Sequence, residues 1–185
     1  MTSQRTYHHG DLRRAVLTAA LDVIATEGPS ALSLRDLARR AGVSHAAPAH
    51  HFKDRAGLLT AIATEGYDLL GTTLAEAAGL RERGVHYVRF AIDHPAHFQV
   101  MFHPDLYHAD NPDLLSAKAR TAAELRAGVE QRSPDEDSAL MGVAAWSIAH
   151  GFATLLLSHN LERTMGDRDP EDVFRALTGL TFRAS

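Results

Sequence analysis

Histidine has the widest chemical scope of the residue types in this sequence, because its ring nitrogens can bind a metal ion or bond the edge of a base. The chain has twelve histidines and no cysteine. Four of the histidines lie close together in the middle of the chain: His94, His97, His103 and His108. Pro95 separates the first two, and only Asp93 and Asp105 stand nearby as further ligands. We therefore predict no metal site, with a metal-responsive protein using these histidines as an alternative.

Catalytic motifs are absent from the sequence. The lack of cysteine excludes thiolate chemistry, disulfides and cysteine-ligated metals. No Gly-x-Ser-x-Gly, His-Glu-x-x-His or phosphate-binding glycine loop occurs either. Because catalysis needs a nucleophile or an acid–base pair held in a cleft, we predict that the protein is not an enzyme and carries no cofactor.

Charge is distributed unevenly along the chain. Residues 1–55 hold eight Lys and Arg against five Asp and Glu, a net charge of +3, whereas residues 56–185 hold eleven against eighteen, a net charge of −7. A basic end on an acidic body is expected where only one end approaches phosphate. The sequence has no run of about 18 apolar residues and no signal segment, so we expect a cytosolic protein without a membrane partner.

Apolar residues recur at helical spacing throughout the sequence, which predicts an all-α fold. The first helix is expected to begin at Asp11, as its N-cap, and to end before Gly28. Asp54 is expected to cap a longer fourth helix. The predicted parts are an N-terminal three-helix domain at 1–54, this connecting helix at 55–78 and a C-terminal helical domain at 79–185.

The residues between the first and fourth helices predict two short helices. Ser33 followed by Asp36 resembles a capping box that opens the second helix, and Gly42 ends it. Ser44 is expected to cap a third helix that reaches about His51. Two short helices joined by so tight a turn form a helix-turn-helix unit.

The C-terminal part predicts five further helices. They are expected at about 81–93, 95–103, 113–131, 135–163 and 171–183, with the acidic segment 133–137 opening the fourth of them. The helix at 135–163 is apolar almost all round, so it must be buried on most sides. A chain of this size achieves such burial by self-association.

The segment SLRDLARRAGVSHAAPAHHFKDRAGLL at 33–59 resembles the DNA-binding signature of the TetR/AcrR family of bacterial transcriptional regulators. The resemblance extends without a gap from Tyr7 to about Tyr67. It implies a helix-turn-helix head that binds a palindromic double-stranded DNA operator. It also implies a C-terminal domain that binds a small-molecule effector and forms a homodimer through the last two helices, at about 135–163 and 171–183.

The residues expected at the DNA follow from this resemblance. The start of the third helix is expected to face the major groove, where an imidazole bonds base edges and a methyl group packs on thymine. Helix N-termini and arginines are expected to hold phosphates. The expected DNA-binding residues are Ser33, Arg35, Ser44, His45, Ala46, His50, His51 and Arg55.

Two residues of the third helix depart from the family pattern. The family usually has an aromatic residue, commonly Tyr, at the position of Ala49, where it contacts the DNA backbone. Pro48 is expected to remove about one hydrogen bond from the first turn. These departures leave open an alternative, an all-helical dimeric interaction protein with impaired DNA binding.

The C-terminal part resembles, more loosely, a TetR subgroup with a Trp-x-x-x-His-Gly signature. HYVRFAIDHPAHFQVMF at 86–102 and AAWSIAHGFATLL at 144–156 carry the resemblance, and Trp146, His150 and Gly151 match the signature. By analogy, the expected effector pocket contains Tyr87, Phe90, His94, Phe98, Met101, Trp146 and His150. A mostly apolar pocket suits a hydrophobic or aromatic effector, and we predict a repressor that this effector releases from DNA.

Overall fold

The computed structural model describes residues 3–130 and 138–181, with side chains from residue 12 onward, and these residues form helices and turns without a strand. The all-α prediction is confirmed. The described helices are α1 Ser3–Glu27, α2 Leu34–Arg40, α3 Ala47–Phe52, α4 Arg55–Ala75, α5 Gly79–Asp93, α6 Pro95–Met101, α7 Pro112–Glu130, α8 Ser138–Leu157, α9 Glu162–Met165 and α10 Pro170–Thr181. Short 3-10 turns lie at Pro29–Ala31 and Pro104–Leu106.

The chain divides into two compact units. The first consists of Met1–Gly66 and Ala96–Ser116, and the second of Tyr67–Pro95 and Ala117–Ser185. The segment 96–116 belongs to the first unit because Met101 packs on the backbone of Gly66 and the His108 amide donates to Thr60 Oγ1 over 3.0 Å. The predicted domain limits at residues 54 and 78 remain predictions.

The first unit is built around α1 and the first half of α4. Their apolar stripes are fully buried: Val16, Ala20, Val23 and Ile24 on α1, and Leu58, Leu59 and Ile62 on α4. The helix α1 ends before Gly28, whose φ of 82° belongs to the left-handed region, as predicted. The predicted start at Asp11 is wrong, because no proline interrupts the preceding residues and the helix already begins at Ser3.

The turn between α2 and α3 follows the Schellman pattern that Gly42 predicts. The amide of Val43 donates to the Ala38 carbonyl over 2.9 Å, and the amide of Gly42 donates to the Arg39 carbonyl over 3.2 Å. Gly42 has a φ of 65°, which a residue with a side chain adopts only at a cost. The turn is therefore fixed by backbone hydrogen bonds.

The predicted capping box of α2 does not form. Ser33 is extended at the N-cap position, but its side chain makes no capping hydrogen bond. Asp36 turns instead to the guanidinium groups of Arg39 and Arg40, at 2.7 and 2.6 Å, and these hydrogen bonds lower the pKa of the Asp36 carboxyl. A guanidinium one turn away forms a stronger hydrogen bond with a carboxylate than a backbone amide does, because both partners are charged.

The helix α3 begins at Ala47, two residues later than a cap at Ser44 requires. The Ser44 carbonyl accepts the Ala47 amide over 3.0 Å, so Ser44 closes the turn before the helix. Pro48 therefore occupies the second helical position, where a backbone N–H has no partner within the helix. The expected loss of one hydrogen bond is wrong, and Pro48 is buried.

The second unit contains α5, α8 and α10. Its core includes Val85, Val88 and Ala91 on α5 and Phe152 on α8, whose ring packs against Phe174 on α10. Burial of α8 on most sides is wrong within one chain, since it buries only Ala149, Phe152 and Ala153. The expected α8 boundaries are also revised, because turns follow Leu157, while the predicted cap at 133–137 lies outside the described residues.

The exposed side of α8 is apolar. Leu140 and Val143 are 69% and 58% exposed. Within the described part of the chain, α8 alone has the length and composition that would suit a membrane span, a property it shares with core helices of soluble proteins. Leu180 on α10 is exposed to 67% as well.

Candidate DNA-binding surface and effector cavity

The segment between α2 and α3 presents a row of exposed side chains. Ser44, His45 and Ala46 form the turn before α3, and His50 lies exposed on α3 itself. The opposite side of α3 is held in the core by Ala47, Pro48 and Phe52. The short helix thus points its exposed residues outward on a rigid support, as a helix that reads base edges requires.

The remaining predicted DNA-binding residues lie at the start of α2, near the end of α3 and at the start of α4. Ser33 and Arg35 are exposed at the N-terminus of α2. His51 is half-buried, and its ring packs on His50 and Phe52 with centroid distances of 5.5 and 6.3 Å. Phosphate binding by these residues remains a prediction.

Arg55 is held by the protein itself. Its Nη2 donates to the Pro29 carbonyl over 2.7 Å, which ties the turn after α1 to the start of α4. Its Nε is buried without a hydrogen-bond partner among the described residues. Sequence reasoning gave no sign of this bond, because the two residues are 26 positions apart.

The junction of α3 and α4 is unusually tight. Lys53 has a φ of 67° and a ψ of −63°, the strained γ-turn conformation, and the Asp54 amide donates to the Phe52 carbonyl over 2.8 Å. Asp54 then caps α4 as predicted, since its Oδ1 accepts the Gly57 amide over 2.7 Å, and this hydrogen bond lowers the pKa of Asp54. A Cβ on Gly57 would lie 2.0 Å from the Phe52 carbonyl oxygen.

The second unit contains a cavity of about 460 Å³, a size that suits a small organic ligand. Residues of α5, α7 and α8 line it, and Tyr87 and Trp146 are the two predicted pocket residues among them. The lining is mostly apolar and includes Leu80, Leu125, Val129, Ala139, Val143 and Ala149.

Tyr87 and Trp146 meet a third predicted pocket residue, His150. The Tyr87 hydroxyl and His150 Nδ1 share a hydrogen bond of 2.9 Å, and the Trp146 and His150 rings lie 5.8 Å apart. Burial raises the pKa of the Tyr87 phenol and lowers the pKa of the His150 imidazole. Both groups are therefore held neutral near pH 7, where they can act as hydrogen-bonding groups beside an apolar ligand.

Four other predicted pocket residues do not line this cavity. Phe90 is buried on α5, and its ring packs on His94 with a centroid distance of 5.2 Å. Phe98 and Met101 lie on α6, in the first unit. Met101 packs on Gly66 there, and Phe98 packs on Phe102 at 5.1 Å. These two side chains are buried in the core of the first unit.

Sequence reasoning missed the charged residues of the cavity. Arg83, Arg126 and Glu130 all line it. The position of Arg83 beside Tyr87 was predictable, because Leu80, Arg83 and Tyr87 follow the spacing of one helix face. The α7 residues of the lining were not predictable, because the helical pattern of α7 does not show which helices it packs against.

The histidines considered as metal ligands have separate surroundings. His97 Nε2 lies 3.5 Å from Glu65 Oε1, and His108 Nε2 lies 3.4 Å from Asp54 Oδ1. Among the side chains that the structure describes, no three His, Asp or Glu are grouped so as to hold a metal ion. The metal-responsive alternative gains no support from this part of the chain.

Comparison with known families matches most of the chain. Residues 80–180 match the family model described as "Tetracyclin repressor-like, C-terminal domain". Residues 16–62 match the model described as "Bacterial regulatory proteins, tetR family". No curated protein matches the sequence.

Solved structures with the same fold cover nearly the full chain. A protein from Rhodococcus sp. RHA1 is 30% identical, with a TM-score of 0.76 over 94% of this chain and 95% of that one. The TetR family transcriptional regulator PfmR from Thermus thermophilus is 27% identical, with a TM-score of 0.65 over 91% and 97%. AibR, solved with isovaleryl coenzyme A and operator DNA, shares the fold at 17% identity, with a TM-score of 0.67 over 91% and 97%.

These comparisons agree with the helix-turn-helix geometry of the first unit and with the helical second unit that contains a cavity. They do not separate subgroups, so the Trp-x-x-x-His-Gly assignment remains a prediction. The two family models reach from residue 16 to residue 180, and the chain therefore belongs to the TetR family of bacterial regulatory proteins.

Proposed function

We propose that the protein is a cytoplasmic transcriptional repressor, which binds a palindromic operator as a homodimer and leaves it when a small hydrophobic or aromatic effector fills the cavity of the second unit. The observation that carries this proposal is a mostly apolar cavity of about 460 Å³ in a TetR-family chain. A non-enzymatic role fits the mostly apolar binding surface that the described residues give this cavity.

Base contacts are assigned to the exposed residues before and on α3. His45, Ala46 and His50 are the proposed base-reading residues. Phosphate contacts are assigned to Ser33, Arg35, Ser44, His51 and Arg55. Arg55 has two roles in this proposal, because its guanidinium also donates a hydrogen bond to the Pro29 carbonyl.

Release of DNA by the effector is proposed to run through α4. This helix begins in the first unit and ends in the second. An effector that binds one conformation better than another shifts the population toward it. This change needs only to misalign the two DNA-binding domains of the dimer, which must reach operator half-sites about 34 Å apart. The structural neighbour AibR was solved with both an acyl-coenzyme A and operator DNA, which supports such a combination in this fold.

The DNA-binding test is a gel shift with the DNA upstream of the protein's own gene at several salt concentrations. We expect sequence-specific binding that weakens with salt, and Arg35→Ala should lower the slope of log K against log salt by about one unit. Arg163→Ala is the matched control, because Arg163 is an exposed arginine of the second unit and its removal should leave the slope unchanged. Absence of specific binding would contradict the proposal.

The alternative of a dimeric interaction protein with impaired DNA binding now depends on Ala49 alone. Pro48 sits where it costs no helix hydrogen bond, whereas Ala49 is exposed and lacks the ring that the family pattern carries there. The gel shift should therefore include Ala49→Tyr. Binding that appears only in this variant would favour the interaction protein over the repressor.

A further inference from the structure

Arg83 brings a positive charge into the cavity, and it has no hydrogen-bond partner among the residues that the structure describes. Its side chain is only 7% exposed. Its Nε and Nη1 atoms are buried, and neither bonds to an acceptor in the described part of the chain. Its Nη2 lies 3.8 Å from Glu124 Oε2, which is beyond hydrogen-bonding distance.

The position of Arg83 is determined by α5 and by its packing against α7. Arg83 shares one face of α5 with Leu80 and Tyr87, so its helix directs it toward the cavity. Its Cδ, Nε and Nη1 pack against Gly128 of α7, where a Cβ would lie only 2.7 Å from Arg83 Cδ. An ionised group buried without a partner is costly, and arginine does not escape the cost by losing its proton.

The described charges near Arg83 do not pair closely with it. Glu124 is 36% exposed, so water solvates its carboxylate and weakens the long pair with Arg83. Arg126 and Glu130 also line the cavity, but both are exposed and their charges are opposite. Among the described residues, the cavity therefore has a mostly apolar lining and one buried cation, whose ion pair with Glu124 is long and partly solvated.

We propose that the effector is an organic anion, with an apolar body that fills the cavity and a carboxylate that pairs with the Arg83 guanidinium. This inference rests on the proposed function and narrows its effector from any hydrophobic molecule to a hydrophobic acid. Pairing with a carboxylate supplies the missing acceptors, and such hydrogen bonds are the strong ones because both partners are charged.

The test compares octanoate with 1-octanol, which have the same number of carbon atoms but differ in charge. Trp146 is the only tryptophan of the chain and lines the cavity, so its fluorescence reports binding in the full-length protein. We expect octanoate to bind about tenfold more tightly than 1-octanol, or better. Arg83→Met should abolish this preference while leaving 1-octanol binding unchanged. Arg81→Met is the matched control and should keep the preference, because Arg81 is exposed on the same helix and does not line the cavity.

Two further measurements keep the inference open to refutation. Arg83→Met should leave the melting temperature of the ligand-free protein unchanged or raised, because a buried charge with only one long ion pair is removed. A large fall would assign Arg83 to structural support. Glu124→Gln, which retains Arg83, should tighten octanoate binding about two- to fivefold by removing a competing carboxylate.

The outcomes separate this inference from the proposed function. Equal binding of octanoate and 1-octanol to the unaltered protein, or a preference that survives Arg83→Met, would overturn the anionic effector but leave a hydrophobic one. Failure of both probes to alter Trp146 fluorescence would overturn the effector cavity itself. Operator binding in the gel shift is independent of either result.

Discussion

Burial acts on the side chains around the cavity in opposite ways. The neutral forms of Tyr87 and His150 are favoured because an apolar environment disfavours their charged forms. Arg83 cannot respond by neutralisation and keeps its charge. The same cavity therefore offers a ligand the Tyr87 hydroxyl, which shares a hydrogen bond with His150, and one buried cation. An acidic ligand would be recognised by the cation and packed by the surrounding apolar groups.

The shift of His150 makes a pH dependence of stability testable. Burial lowers the pKa of the folded-state imidazole below its ordinary value of 6.5, so the unfolded chain takes up a proton more readily. The stabilising contribution of neutral His150 is therefore complete above pH 6.5 and is lost as the pH falls from 6.5 through the folded-state pKa. We expect the melting temperature to fall between about pH 7.5 and 5.5, and to fall less in His150→Gln.

The control for this prediction is His103→Gln. His103 is exposed, and its replacement should leave the pH dependence of the melting temperature as it is in the unaltered protein. An identical pH dependence in His150→Gln and in the unaltered protein would show that other groups cause the loss of stability at low pH.

Helix ends show how far the sequence determines the elements. The two glycines, which act through their own backbone, are predicted correctly, since Gly28 and Gly42 end helices in left-handed conformations. Side-chain caps are predicted less well: Asp54 caps α4 through its carboxylate as expected, but two other expected caps do not form. Asp36 binds two arginines instead of completing a capping box, and Ser44 closes a turn through its carbonyl instead of capping α3.

The candidate site was only partly predictable for a related reason. Helical spacing predicts which residues share a face, as Leu80, Arg83 and Tyr87 do on α5. It does not determine which helix packs on that face. The resemblance to a TetR subgroup placed Phe98 and Met101 in the pocket, whereas α6 belongs to the first unit, and the lining from α7 was missed.

The junction of α3 and α4 depends on Gly57. Because a Cβ there would lie 2.0 Å from a backbone oxygen that cannot swing away, Gly57→Ala should force the two helices apart. We expect a destabilisation of about 1–3 kcal/mol or more in thermal or urea unfolding, together with weaker operator binding. Gly179→Ala is the control, since the nearest atom to its Cβ would be Arg81 Nη2 at 3.7 Å, an ordinary contact. Equal stability of the two variants would refute the proposed strain.

For the whole molecule, the apolar surface on the second unit is the feature that a single chain leaves unexplained. Leu140 and Val143 on α8 and Leu180 on α10 expose more than half of their side chains. Exposure of several large apolar residues on neighbouring helices typically marks a protein–protein interface. A second copy of the chain is the proposed occupant, and two copies are also what a palindromic operator requires.

Charge substitutions on this surface should separate folding from assembly. We expect Leu140→Arg and Leu180→Arg to convert a dimer into a monomer in size-exclusion chromatography with light scattering, because a guanidinium buried in an apolar interface has no partner. Operator binding should fall steeply, since a monomer engages one half-site only. Leu115→Arg is the matched control: Leu115 is 51% exposed on α7 and belongs to the first unit, so the dimer and its DNA binding should persist. A dimer that survives both α8 and α10 substitutions would place the interface elsewhere on the molecule.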